Sequence, residues 1–393
     1  MIRHLFKLIW NRKKSNFLLI AEIFFCFLVL FGVLSLVTYN VRNYTKPLGF
    51  EHEDVWLVTM RPNSDSTAQN RQQLEQVLSR VRAFPEVGHA ALTSSNAPFS
   101  FSQMNNSLSY GEVKDVMTDN YDVQDAYDKV MRLNITEGRW FNPQDNASHH
   151  SPIVINKMLK EKLFGQEEAV GKLIPKNDTT NYVVVGVTDY FRASSEFAAE
   201  DPALFNRINM DKSPDYFWNE LLVRVKPGTG VAFEERMVKQ LASIGKDWTI
   251  EVSTLEKMRQ NKAKLTLAPM IALGLVCGFL ILNVALGLFG VLWHNISRRN
   301  GEIGLRRALG AASKQIYWQF IGEVLVLATF GLLLGAFFAV QFPLLQVFQV
   351  ESEVYFIALL SSIGIIYLLT AVCAFYPSRQ AAGIHPAMAL HEE

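Results

Sequence analysis

The chain has 393 residues, 49% of them hydrophobic and only 19% charged, with 27 phenylalanines and a mean hydropathy of +0.11. That apolar content excludes a disordered chain, and three cysteines are too few for a disulfide scaffold. With 38 Lys+Arg against 37 Asp+Glu the formal net charge is +1, which gives no support to a nucleic-acid partner.

Residues 1–16 place Ile2, Leu5, Phe6 and Ile9 at helical spacing with Arg3 and Lys7 between them, the pattern of an amphipathic helix lying on the inner membrane surface. A plain continuation of the following span is the other reading. Residues 17–37, FLLIAEIFFCFLVLFGVLSLV, contain one charge, Glu22, and are long enough to cross a bilayer core of about 30 Å as a helix. A cleaved signal peptide would have an apolar region of roughly 7–15 residues and a small-residue cleavage site, whereas this run is longer and leads into TYNVRNY. Three more spans are expected at 265–293, 320–340 and 355–376; the first carries Asn283, the second Glu323 and the last no charge. Cys26, Cys277 and Cys373 all lie in apolar runs, where they pack as small hydrophobes.

Lys and Arg near the span ends set the direction. Arg3, Lys7, Arg12, Lys13 and Lys14 precede the first span, Arg298, Arg299, Arg306, Arg307 and Lys314 lie in the 294–319 loop, and Arg379 follows the fourth span. The 341–354 loop has no Lys or Arg and contains Glu351 and Glu353. Both termini and the 294–319 loop are therefore expected in the cytoplasm, and residues 38–264 outside. Lys262 and Lys264, at the outer end of the second span, read as lysines snorkelling to the interface. The fold class is an α-helical membrane protein with four transmembrane helices and a large α+β extracytoplasmic domain inserted between the first and second.

Within that domain, Asp54–Met60 and Gly88–Thr93 have strand composition and flank a helix at Thr67–Ala83 with Leu74, Val77, Leu78 and Val81 on one face. The order recurs as strand Glu220–Val225, helix Val231–Ile244 and strand Trp248–Val252. These two units, 44–94 and 216–262, are expected to form one lobe, with 95–215 inserted as a second. The clearest elements of the second are strands Ile153–Ile155 and Tyr182–Val187 and a helix at Lys157–Phe164. No enzyme signature is visible. His149 and His150 near Asp145 lie in a polar stretch without HExxH or CxxC spacing and read as solvated. GQEEAVGK at 165–172 approaches a phosphate-binding loop but has five residues between its glycines and Leu173 where a hydroxyl belongs. The GTG at 228–230 reads as a turn.

The most specific segment is RRNGEIGLRRALGAASKQIYWQF, 298–320: a basic loop with two helical stretches, broken near Gly301 and Gly310, and small residues beside Arg306 and Arg307. EIGLRRALGA, followed by a span with an early glutamate (Glu323) and GLLLGA at 331–336, resembles the FtsX-like permease domain of MacB-type ABC transporters. The ending YPSRQAAGIHPAMAL, 376–390, is similar to that family's C-terminus. GRWF at 138–141, SPIVIN at 151–156, LFG at 163–165, VGK at 170–172 and VVVGV at 183–187 resemble, in order, its periplasmic core domain.

The resemblance implies a homo- or heterodimer of permease chains in a bacterial inner membrane, with ABC ATPase subunits on the cytoplasmic face, and it leaves room for a periplasmic adaptor or outer-membrane partner. The ATPase-coupling loop would comprise Glu302, Ile303, Leu305, Arg306, Arg307, Ala308, Leu309, Gly310 and Ala311. No cofactor or metal is expected on this chain. ATP and Mg would be bound by the partner ATPase, which the resemblance implies is a separate polypeptide because no Walker A motif is present. The chain would be non-catalytic, passing ATP-driven motion to its outer domain to move a substrate that the sequence does not identify. Leu255–Lys264 contains no Pro or Gly, so the second span is expected to run on outward as a helical stalk. Glu22, Asn283 and Glu323 are the intramembrane polar groups; Asn283 is expected to bond between helices, and the two glutamates to serve helix pairing or interfacial hydrogen bonding rather than ion transport. The alternative function is a membrane sensor whose extracytoplasmic domain binds a ligand. A membrane-anchored enzyme fits least, for want of a catalytic constellation.

Overall fold

The computed structural model describes residues 13–63, 67–176, 180–211 and 216–383, so the surface helix expected at the N-terminus lies outside the described residues over 1–12, as does the C-terminal motif from 384 onward. The first half of the chain runs α1 (Lys13–Tyr44), β1 (Val55–Pro62), α2 (Thr67–Arg82), β2 (Val87–Thr93), β3 (Asn105–Tyr110), β4 (Val113–Val123), α3 (Tyr127–Met131), β5 (Ile135–Gly138), β6 (Ser151–Asn156) and α4 (Lys157–Phe164). It continues as β7 (Leu173–Pro175), β8 (Asn181–Thr188), β9 (Ala203–Arg207), β10 (Glu220–Val225), α5 (Val231–Ile244) and β11 (Trp248–Thr254). Last come α6 (Leu255–Ser297), α7 (Asn300–Ala308), α8 (Ser313–Ala339), α9 (Gln341–Leu344) and α10 (Ser352–Ala382). Two compact units result: Met1–Arg42 with Leu267–Glu393, and Asn43–Thr266.

In the first unit α1, α6, α8 and α10 are long and apolar enough to cross a membrane. Each helix starts before its expected span, and α1, α6 and α10 also run past its end, because the polar flanks are helical too. Lipid gives helices no hydrophobic reason to associate, so close packing must hold the bundle. The glycines of α8 supply it: a Cβ on Gly335 would come within 2.3 Å of the Phe27 ring, and one on Gly331 within 2.9 Å of Ile23. Ile23, Phe27, Ala328, Ala358, Ile366 and Ala374 are buried at this core. The Thr329 and Tyr367 hydroxyls, 2.9 Å apart, join α8 to α10.

The second unit is built on an eleven-stranded sheet in the order β11-β1-β10-β2-β4-β9-β6-β8-β5, with β3 on β4 and β7 on β8. The segments read as two lobes contribute adjacent halves of this one sheet, joined through the single register pair Thr93↔Val123. On one half, α2 and α5 pack Leu74, Val77, Val81, Phe233 and Met237 over Trp56, Val58 and Met60. On the other, α4 sets Leu159 and Leu163 against Ile153, Ile155 and Val184. The bounds of α4, α5 and β10 coincide with those read from the sequence. Strands β3, β4, β5, β7 and β9 went unread. β4, VKDVMTDNYDV, is too polar to signal a strand by itself and takes its place through antiparallel β3 and parallel β9.

Two buried arginines brace this unit through carbonyl oxygens. Arg224 donates to the carbonyls of Val130, Glu53 and Glu51, and Arg192 to those of Lys46, Glu196 and Ala198. Lys262 departs from the snorkelling expectation: its ammonium lies over the Phe101 ring, 4.4 Å from the centroid, because that turn of α6 belongs to the second unit.

Candidate functional site

The segment singled out as the coupling loop is a short helix between two tight turns. α6 ends at Ser297, Arg298 and Arg299 turn the chain, and α7 begins at Asn300. Gly301 therefore lies inside α7, and the expected break there falls instead at Arg298–Arg299. Glu302 stands in the first turn of α7 and Arg306 and Arg307 in its last, each matched to the partial charge at that end. Gly310 takes φ +94° just beyond the helix. Its N–H donates to the Arg307 carbonyl at 3.1 Å and the Ala311 N–H to the Arg306 carbonyl at 3.0 Å, the Schellman pattern that closes a helix C-terminus. Extended backbone at Ala312 then leads into α8.

The nine predicted residues divide between two directions. Ile303 is buried with Ile296, Ile316, Phe320 and Ala381. Arg306 reaches Glu302 on its own helix and the Gln319 side-chain oxygen of α8 at 3.0 Å. The Gln319 amide donates to Glu323 at 3.1 Å, and the Glu323 carboxylate also takes Arg299 at 3.1 Å. Arg299 and Glu323 are only 10% and 16% exposed, so this pair is shielded from solvent. Arg307 donates to the carbonyl of Ala382, tying α7 to the end of α10. Leu305 and Leu309, by contrast, are 52% and 80% exposed. With Gly301 and Ala308, both exposed, they follow the i, i+4, i+7, i+8 spacing of one helix face. Ala311 is half-buried beside Gly310, which is exposed.

The intramembrane polar groups behave differently from one another. Glu22 lies where a Cβ on Gly287 of α6 would meet its carboxylate oxygens at 2.7 and 2.9 Å, so the two helices are close at that level. Glu323 belongs to the ion pair just described. Within this chain Asn283 bonds to its own helix: it is exposed and donates to the Phe279 carbonyl at 2.8 Å. That back-bond uses one of the amide's two N–H groups. The links through Arg299 and Gln319 were missed by sequence reasoning. The Gln319–Glu323 spacing of four, on a helix that begins at Ser313, was the available signal.

Elsewhere, Asp145 and the two histidines that follow it have partners of their own. Asp145 is gripped by Arg139 through two contacts of 2.8 and 2.6 Å, and that guanidinium holds its carboxyl below the usual range. His149 and His150 pack edge to face. Among the described residues no group of three His, Cys, Asp or Glu side chains is placed to hold a metal ion.

Comparison with known proteins adds the following. A model of the MacB-like periplasmic core domain matches residues 17–240, and one of the FtsX-like permease C-terminal region matches 274–386. The macrolide export ATP-binding/permease protein MacB of Pasteurella multocida is 26% identical over 281 residues, covering 70% of this chain and 43% of that protein. An uncharacterized ABC transporter permease of Bacillus subtilis, YvrN, is 24% identical over 291 residues, 70% of each chain. This chain thus spans less than half the length of the MacB protein. The periplasmic region of MacB from Actinobacillus actinomycetemcomitans aligns with a TM-score of 0.38 at 13% identity, over 56% of this chain and 95% of that one. Because the core-domain match alone takes in more than half of the 393 residues, and the permease match falls on the helices that follow it, the chain belongs to the family of MacB-like ABC transporter permeases with an FtsX-like C-terminal region.

Proposed function

We propose that this chain is the membrane subunit through which an ABC ATPase, docked on the cytoplasmic face, drives the large domain outside an inner membrane and so exports or moves a substrate there. The chain itself is non-catalytic in this reading and works as a dimer of permeases. The observation that carries it is α6, one helix from Leu255 to Ser297. At about 1.5 Å per residue the contour of its 43 residues is about 64 Å, more than a bilayer core of about 30 Å requires. Leu255 is fully buried in the core of the second unit, and Ser297 leads through two residues into α7. Pro269 lies inside α6 and removes one backbone hydrogen bond, so what supports transmission is the helix's unbroken course past that residue. The exposed face of Leu305, Ala308 and Leu309 supplies an apolar surface for the ATPase, while Arg306 and Arg307 brace α7 against the bundle.

Reconstitution with the partner ATPase tests the proposal. A flexible Gly-Ser segment inserted after Lys257 should leave ATP hydrolysis intact and abolish substrate movement. Full movement through the interrupted helix refutes transmission along α6. Leu309→Asp should release the ATPase from the membrane, and unchanged attachment would remove α7 as its seat.

A further inference from the structure

The helical unit contains an apolar cleft of about 800 Å³, within the roughly 300–1,000 Å³ range of small-molecule sites. One wall is a strip of α1 from Phe24 to Tyr39, including Gly32 and Ser35; Phe338, Phe342 and Tyr355 contribute to the other. The strip is long and narrow: fifteen helical steps make about 22 Å, more than half of a bilayer core of about 30 Å. All these residues belong to the membrane-length helices or to the loop between α8 and α10.

That loop holds an unusual conformation over the cleft. Gln346 and Phe348 take φ values of 47° and 59°, in the left-handed region that side chains disfavour. The Tyr355 hydroxyl fixes the segment by donating to the Val347 carbonyl at 2.7 Å. Phe348 lines the cleft although 82% exposed. Charge is concentrated at the same end. Arg42, one turn beyond Tyr39, pairs with Glu351 at 2.5 Å and Glu353 at 2.6 Å, and both carboxylates keep more than half their surface open. Toward the charged end of the cleft wall lies the Ser35 hydroxyl, buried with no hydrogen-bond partner. It sits seven residues from Arg42, about 10 Å along the helix.

We propose that this cleft binds one membrane phospholipid. An acyl chain lies along the α1 strip, an ester oxygen accepts from Ser35, and a zwitterionic headgroup sets its phosphate toward Arg42 and its ammonium toward Glu351 and Glu353. An apolar slot as long as a leaflet, a lone hydroxyl at ester depth and charges of both signs at one end match the three parts of such a lipid in order. The site depends on the helices crossing a bilayer and not on ATP coupling, so it stands or falls apart from the function proposed above.

The full chain, reconstituted in bilayers of phosphatidylethanolamine and phosphatidylglycerol in equal amounts and re-extracted in detergent, is analysed by mass spectrometry for retained lipid. About one phospholipid per chain is expected, enriched in phosphatidylethanolamine. A Cβ at Gly32 meets nothing within 4 Å, so Gly32→Trp fills the slot and should cut retention about tenfold. Ser35→Phe, on the same wall, repeats the test should the first variant fold poorly. Glu351→Gln with Glu353→Gln should erase the ethanolamine preference. Undiminished lipid on folded Gly32→Trp overturns the proposal. So does retention of a lipidated peptide instead of phospholipid, or a Phe348→Cys disulfide between two copies in the membrane, which would show a second chain covering the cleft.

Discussion

Replacing Gly310 isolates one backbone torsion from everything else in the α7 region. At φ +94° this residue occupies backbone space that a side chain disfavours by about 1–2 kcal/mol, yet a Cβ there would touch nothing within 4 Å. Gly310→Ala therefore carries a conformational cost with no steric one. The cost falls on the formed Schellman turn, since alanine would rather continue α7 than end it. Continuation would break the bonds from Gly310 and Ala311 to the Arg307 and Arg306 carbonyls and, with Leu309 still over Leu305, redirect the chain that leads from Leu309 into α8. An ATPase that seats on the Leu305–Leu309 face where it meets the Gly310 turn binds only the formed turn. Its affinity should then fall by up to about 5- to 25-fold, the equivalent of that penalty. Titration of the ATPase onto reconstituted Gly310→Ala and Gly310→Asn chains reads this out. Asparagine accepts the left-handed region far more readily, so it should recover most of the loss. Wild-type affinity in Gly310→Ala, or equal loss in both variants, would refute the turn as the determinant and point to contact with the residue itself.

Three other changes have definite outcomes. Glu323→Ala strips the shielded Arg299 of its carboxylate, and the Arg299 Nε already lacks a partner, so a loss of about 3–5 kcal/mol is expected in detergent unfolding, with Glu323→Gln milder. Burial pushes the Glu220 carboxyl up to about 7. A folded-state value above the unfolded one of about 4.3 gives stability that is full below that pH and lost as pH rises through about 7. Glu220→Gln, which cannot ionise, should therefore gain on wild type between about pH 5 and pH 8 when unfolding is followed by tryptophan fluorescence. A constant difference across that range would mean that the residue does not titrate there. Arg192→Met retains much of the buried volume but leaves the carbonyls of Lys46, Glu196 and Ala198 without their donor. At about 1–3 kcal/mol for each buried unsatisfied group, urea unfolding should show a loss of several kcal/mol.

Legibility varied with how local each signal was. The membrane helices announce themselves by length and apolar content, and α5 carries its face in Phe233, Met237 and Leu241 at spacing four. β10, ELLVRV, is buried at every position and reads as an apolar run even with Glu220 and Arg224 in it. β4 is hard to read because both it and its hairpin partner β3, NNSLSY, are polar, and its second half, Asp119–Val123, pairs in parallel with the distant Ala203–Arg207. Parallel pairing leaves no turn signal between the strands. At the candidate site the glycine break at Gly310 was legible because positive φ has a residue preference, whereas the Arg298–Arg299 turn uses residues with none. An amide in an apolar run, such as Asn283, suggests a partner helix, and within the chain it donates to the Phe279 carbonyl one turn away.

The loop's charges also have a use different from the one composition suggests. Five cations between residues 298 and 314 look like a surface for an acidic partner, yet Arg299, Arg306 and Arg307 are all committed to groups of α7, α8 and α10. A guanidinium bound to Glu323 in a shielded site is a poor docking group, because a partner would first have to displace a carboxylate already in place. The large apolar groups that α7 leaves open are Leu305 and Leu309, beside the half-open Glu302–Arg306 pair. Charge therefore fixes where α7 sits relative to α8 and α10, and the leucines are left to meet what comes from outside. On that division of labour, adding salt should weaken the ATPase contact only slightly, whereas Leu305→Ser with Leu309→Ser should weaken it strongly. A steep salt dependence with the leucine variant unaffected would reverse the assignment.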